Sequence, residues 1–556
     1  MARMVTMAAA LLLAAAGADA RTELTPFGHL PGPTGPAEAW RQGDPPLFEG
    51  LGDMGMDITT AHPRAQAYFD QGLRWAWAFN HAEAVRAFRE AQDIDPACAM
   101  CAWGEALALG PNINKPMDPA DLPAALAAVN RARALAPDAS PREQALVAAL
   151  ARRYTPDGPD DQAYARAMLD VARAHPGNDD IQVLAAEAMM DTQPWDYWEA
   201  DGRTPKGYTE AVVATLERVL ADNPDHAGAI HLYIHAVEAT GDAARALPHA
   251  RRLAGLMPAA GHIVHMPSHI YYRLGMWRES LEQNKKAVAA DQLYFAQVGT
   301  PPGIYRDGYA PHNLHFVMVS AQMAGDAVAA LDAADRLAAT VTEDAARRVP
   351  WSQPIKAAPY FTHAQFSDPD AILAIADPGE GLPYVAAMWR YARGVAQAAK
   401  GDSQAARAEG EAIRRLGASP AIAELDGQGV PASSVLNLAA RMVAGLAARA
   451  EGDFTVAVAE LREAAAIEDQ LSYTEPPWWY APVRQTLGAT LLMAGDPAAA
   501  EAEFLRSLED VPNNGWALYG LMQAQAALSK DKAAADTARR FRQAWAAGQA
   551  PQLAGL

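Results

Sequence analysis

From about residue 60 onward, small and apolar residues recur at helical spacing, and glycine or proline cuts the pattern at intervals. Residues 68–96, YFDQGLRWAWAFNHAEAVRAFREAQDIDP, predict two amphipathic helices that meet at a tight turn. Gly72, Ala84, Phe88 and Ala91 are the places where the two helices approach, and Pro96 stops the second. Residues 487–512, LGATLLMAGDPAAAEAEFLRSLEDVP, repeat this with Leu487, Gly488, Gly495, Ala500, Phe504 and Pro512. Weaker copies end at Pro137, Pro224 and Pro258, and further helix–Gly–helix junctions fall at Gly241, Gly325, Gly401, Gly452 and Gly495. One hairpin cannot bury its own apolar face, so the copies must stack.

The period of ~34 residues and its small-residue positions resemble the tetratricopeptide repeat across roughly residues 60 to 545. The stretches FNHAEAVRAFREA, CAMCAWGEALALGPNIN, HMPSHIYYRLG and EPPWWYAPVRQTLGA are similar to a group of exported bacterial tetratricopeptide proteins of unsettled activity. The resemblance implies an all-α fold, a right-handed superhelical solenoid of tetratricopeptide-type hairpins. It also implies a protein or peptide partner in the concave groove. The expected organisation is a signal peptide (1–20), an irregular Pro/Gly-rich arm (21–59), N-terminal and central repeats with a histidine-lined groove (60–370), and C-terminal repeats (371–556).

Residues 1–20, MARMVTMAAALLLAAAGADA, have a basic start, a short apolar run and a small-residue site, which predicts a cleaved leader and a periplasmic or secreted protein. No later run reaches the ~18 apolar residues of a membrane span. The net charge of −20 argues against a nucleic-acid partner, since a phosphate backbone calls for a basic surface.

Three insertions break the period: GPNINKPMDPADLP after Leu109, DTQPWDYWEADGRTPKGY at 191–208, and GTPPGIYRDGYAPHN at 299–313. Interruptions of this length in a repeat array usually cover a site. Asn112, Asn114, Trp195, Trp198, Trp478 and Trp479 are candidates to cap the groove, or merely to seal helix junctions.

The histidines fall in register. Ten and six residues before Gly241 are His231 and His235; the same places before Gly275 are His265 and His269, one repeat length later. His315 lies ten residues before Gly325, and His262 and His312 lie thirteen before Gly275 and Gly325. The corresponding thirteenth place before Gly241 is Gly228, and the sixth before Gly325 is Val319. His262, His265 and His269 share one stripe of a helix, away from the apolar stripe. In the resembling family these places line the concave groove.

All seven, His231, His235, His262, His265, His269, His312 and His315, are therefore candidate ligands for a transition metal such as Zn, Cu or Fe. The alternative is groove-lining polar residues for a peptide, or partly buried histidines hydrogen-bonded to the backbone. Glu238, Tyr272 and Asp307 are expected beside them, in the groove or behind the ligands. An open coordination position would extend the reading to a metal-dependent oxidoreductase or hydrolase. Pro267, inside the stripe, requires that the helix either starts there or is kinked.

Cys98 and Cys101 form CAMC at a predicted helix start, as a redox pair would. A local disulfide or two buried thiols is the other reading. His81, at the first tight turn, is expected to pack rather than ligate.

Overall fold

The computed structural model describes residues 45–546, 548 and 550–556. The leader and most of the arm expected at 21–59 lie outside the described residues. The described residues are 71% helical. Successive helices pack antiparallel as hairpins, and two-residue strands Tyr154–Thr155 and Gly158–Pro159 form a small ribbon between two of them.

The repeat signature has a steric origin. Phe88 is wedged between the helices Pro63–Trp77 and Ala99–Leu109, where a Cβ on Gly72 or Gly104 would lie 2.7 Å or 2.4 Å from its ring. Phe504 repeats the arrangement, with Gly488 and Gly520 at 2.9 Å and 2.1 Å by the same construction. Each phenylalanine is sixteen residues from either of its glycines, so the unit is copied in its packing as well as its sequence. Gly275, Gly325, Gly401, Gly452 and Gly495 turn the chain with positive φ, a conformation open to glycine without steric cost. Gly241 does not: its helix, Ala227–Val237, stops earlier, where Thr240 Oγ1 bonds the Val237 carbonyl at 2.7 Å.

The solenoid is not open. Its hydrophobic interior has two large parts that meet near Tyr272, one spanning Leu51 to Ala310 and the other Tyr272 to Leu556, and a small third around Ile372, Ala392 and Ala396. The first repeat folds back onto the middle of the chain. Tyr294 Oη donates to Glu83 at 3.1 Å, and Phe48 packs against Trp75 and Tyr294. The C-terminal repeats close from the other side: Trp277 Nε1 donates to the Asn513 carbonyl at 2.9 Å, and Trp516 Nε1 to the Gln322 carbonyl at 3.1 Å. Concave surface that would face solvent in an open array is thereby buried where the two arms meet the central repeats. Among the described residues no helix is long and apolar enough to cross a membrane.

Candidate metal centre

Three helical segments in successive repeats carry the histidines: Ala227–Val237, the pair Gly261–His265 and Pro267–Arg273, and Ala310–Ala324. Met266 stays helical (φ −52°, ψ −35°) between the two members of the pair. Its N–H reaches the His262 carbonyl at 3.1 Å, and the His269 N–H reaches the Met266 carbonyl at 3.2 Å. The segments therefore run on as one rod with a break in the ladder. Pro267 sits in the first turn of the second member, where a missing N–H costs little. His262, His265 and His269 keep their common face.

That face is buried rather than exposed in a groove. His231, His235, His262, His265 and His269 are each 0–2% exposed, and His312 is half-buried. Helix Ala227–Val237 is covered all round because the arms close over its concave side.

Six of the seven histidines converge. Ligand nitrogens of His231, His235 and His262 lie within 4.8 Å of one another, as do those of His265, His269 and His312. Four rings are held at Nδ1. His231 Nδ1 donates to the Trp77 carbonyl (2.7 Å), His235 Nδ1 to Glu238 Oε1 (2.8 Å), His269 Nδ1 to Glu238 Oε2, and His265 Nδ1 to Asn284 Oδ1 (2.6 Å). Asn284 is oriented by its own amide, whose Nδ2 donates to Ser268 Oγ and the Ser280 carbonyl, so its oxygen faces the imidazole.

Pinning Nδ1 to an acceptor puts the proton there and turns Nε2, with its lone pair, inward. His265 Nε2 and His269 Nε2 meet at 2.8 Å, and His231 Nε2 and His262 Nε2 at 3.2 Å. His235 Nε2 and His262 Nδ1 are buried without a hydrogen-bond partner. Buried ring nitrogens facing one another require a proton or a metal cation between them.

The electrostatics keep most rings in the neutral, ligating form. Burial first, and neighbouring imidazoles after it, hold His231, His262, His265 and His312 well below the ordinary histidine range. Burial lowers His235 too, against the pull of Glu238. Burial would raise the Glu238 carboxyl, but the His269 charge and the two imidazole hydrogen bonds outweigh it and keep it ionised. His269 is raised correspondingly, the Glu238 charge overcoming burial.

All three insertions reach this place. Trp195 (φ +64°) lies edge-on over His235 at 5.2 Å and donates its indole N–H to Asn114 Oδ1 at 3.0 Å. Tyr309, in a π-helical turn of the third insertion, packs on His262 at 4.8 Å. Phe79 from the first repeat sits against His231 (4.4 Å) and His262 (5.4 Å) with φ +55°. A bulky residue at positive φ is strained by about 1–3 kcal/mol. Two such residues, Phe79 and Trp195, therefore flank one cluster. Gly228 leaves space for Trp77: a Cβ there would fall 2.7 Å from the indole.

The other expected residues are placed apart. His315 packs on Tyr480 at 5.2 Å and joins neither histidine group, nor the third group that His235, Glu238 and His269 form within the same 4.8 Å; the place one turn on, which would complete its set, is the core residue Val319. Asp307 is paired with Arg306 and Arg348. Tyr272 packs on Trp277 and Phe316 and lines a cleft with Arg273, Tyr473 and Glu475. Trp198 ties its loop to the Ala236 carbonyl, and Trp479 packs on Phe361 and Tyr391. Trp478 lines the same cleft as Tyr272. His81 lies beside Phe79 and Asn112. Cys98 and Cys101 are joined in a buried disulfide at the start of helix Ala99–Leu109.

The period gave no sign of several contributors. Asn284 lies on the second helix of its hairpin, and Trp77 contributes a backbone oxygen. Tyr473 comes from the C-terminal arm; its hydroxyl is 2.5 Å from Glu475 Oε1 and 3.4 Å from Glu238 Oε2. Closure of the arms brings in Trp77 and Tyr473, whereas Asn284 arrives by the packing of its own hairpin.

No family model matches the chain, and no curated protein matches it. Among solved structures the chain is similar to yeast Tom70, with 13% identity over 86% of this chain and 99% of that one and a TM-score of 0.33. It is also similar to the human IFIT1 dimer with PPP-AAAA, with 12% identity over 87% and 91% and a TM-score of 0.33. The hairpin architecture is established by the chain's own helices and contacts.

Proposed function

We propose that the chain is an exported helical-repeat metalloprotein whose central repeats bind a transition metal through buried imidazoles. One observation carries this reading. Four buried rings are tethered at Nδ1 by a carbonyl, a carboxylate and an amide, and their Nε2 atoms are thereby aimed into shared space. That is how proteins preset histidine ligands, the outer acceptor fixing both tautomer and ring orientation. The leader-like residues 1–20 support export.

The test uses untagged protein, reconstituted with Zn(II) or Cu(I) and dialysed, with bound metal read by mass spectrometry. At least one ion per chain is expected. Less than about a tenth of an equivalent would sink the reading, because a preformed set of deprotonated imidazoles binds far more tightly than surface histidines.

A metal-dependent enzyme is a second reading, favoured by the cleft that Tyr272, Arg273, Trp277, Tyr473 and Glu475 line. Tyr473, which lines that cleft, also bonds toward Glu238. Helical-repeat proteins commonly bind a protein or peptide on their concave side. Over the histidines that side is filled here by Phe79, Trp195 and Tyr309, so a polypeptide partner belongs on another part of the solenoid.

A further inference from the structure

The six converging histidines form two sets, and the second is the first moved along by one repeat. The first set takes the tenth and sixth places before one turn glycine, His231 and His235, and the thirteenth place before the next, His262. The second takes the tenth and sixth places before that next glycine, His265 and His269, and the thirteenth before the one after, His312. These are the two all-histidine groups whose nitrogens lie within 4.8 Å of one another. A third set would begin at His315, but its sixth place is Val319, and His315 stands apart. The register therefore completes two sets.

Geometry agrees. Two imidazole nitrogens on one ion at ~2.0–2.1 Å are about 3.3–3.6 Å apart. The close pair of the first set, 3.2 Å apart, is near that spacing; the pair of the second, at 2.8 Å, is a hydrogen-bond distance and would have to part by about half an ångström to take an ion. A single tetrahedral ion takes four ligands and would leave two of the six rings without one. Glu238 serves both sets, one oxygen on His235 and the other on His269.

The charge of the surroundings selects the ion. Each set offers three imidazole donors and no carboxylate ligand of its own. The carboxylates that reach the cluster are Glu238 and, through Tyr473, Glu475. Arg273 approaches on the same side, donating to the Glu238 and Thr240 carbonyls. Asp291 lies behind Gly261, engaged by Tyr305 and Asn313. Two divalent ions would bury four positive charges against two carboxylates, an arrangement burial penalises heavily. Two monovalent ions come nearer to balance, since Glu238 is ionised while burial pushes the Glu475 carboxyl up to about 7. Among ions that imidazole binds well, reduced copper is the monovalent one.

We infer that the cluster is a repeated centre for two copper(I) ions, one held by His231, His235 and His262 and the other by His265, His269 and His312. This rests on the metal-binding reading above and specifies its number and kind.

The test titrates untagged full-length protein with Cu(I) anaerobically against a chromophoric Cu(I) chelator, and in parallel with Zn(II). Two ions of Cu(I) per chain are expected, with Zn(II) displaced by Cu(I). His262→Ala and His312→Ala should each halve the stoichiometry, and the double variant should abolish tight binding. Circular dichroism checks that each variant is folded, and the wild-type stoichiometry decides the matter without them. X-ray absorption of the loaded protein should give nitrogen-only, three-coordinate copper. One ion per chain overturns the pairing and leaves the metal-binding reading standing. No ion overturns both. Two zinc ions that Cu(I) fails to displace overturn the choice of copper.

Discussion

The carboxylate of Glu238 and the ring of His269 lie 31 residues apart on adjacent repeats, yet they are hydrogen-bonded inside the protein. The other oxygen of the same carboxylate holds His235 at 2.8 Å. One buried anion thus sets the tautomer of two imidazoles, each in a different set.

Glu238→Gln tests that role. A glutamine can offer one acceptor and one donor, so one of the two rings must reverse its proton assignment and lose its preset Nε2. Loss of such an outer partner typically weakens metal affinity 10–100-fold. A competitive chelator titration should show that weakening with the fold retained. Unchanged affinity would remove Glu238 from the site.

Metal should stabilise the fold, because the ligands come from three repeats and are together only in the folded chain. At metal concentrations about 1,000 times the dissociation constant the gain is about 4 kcal/mol. Calorimetry should show a midpoint that rises with added metal and returns on chelation. A midpoint indifferent to both would place the ligands in a set too loose to bind.

Gly228→Ala should be costly. The added methyl would meet the ring of Trp77 at 2.7 Å, and Trp77 is fully buried and holds His231 through its carbonyl. Overpacking of this kind costs about 1–3 kcal/mol, and the urea midpoint should fall accordingly. Gly255→Ala is the control. Its Cβ meets nothing within 4 Å, and helix Leu247–Leu256 should gain about 0.5–1 kcal/mol.

Stability should also fall as pH rises through neutrality, for a reason remote from the histidines. Burial first, and then the Asp191 charge, push Glu187 up to about 8 from its ordinary 4.5. Between those values the native chain holds a proton that the unfolded chain has released. The contribution is therefore complete at low pH and is lost as pH climbs through the native value. Denaturant midpoints at pH 6 and pH 8.5 should differ in that direction, with a slope of at most about 1.4 kcal/mol per pH unit from this group. Glu187→Gln should flatten the profile; a profile of the same slope in the variant would assign it elsewhere.

How far the sequence could be read follows from which contacts are periodic. The Phe88 and Phe504 wedges, the turn glycines and the histidine register are all properties of one unit, so spacing alone exposes them. The same spacing overreached at His315, where the place one turn on is Val319. It also suggested rings lining an open groove, whereas they are buried. That difference, like the roles of Phe79 and Tyr473, depends on the arms folding back, which no single unit encodes; Asn284 lies within one unit but on its second helix, outside the histidine register. The three insertions were visible as interruptions, but that they meet over one cluster was not.

The closure of the two arms over the central repeats bears on time as well as affinity. An ion among these histidines has Phe79, Trp195 and Tyr309 on one side and Tyr473, bonded toward Glu238, on the other. Exchange would then be paced by the parting of protein segments rather than by the strength of the metal–nitrogen bonds, so cargo would stay for long intervals and leave in rare, complete events.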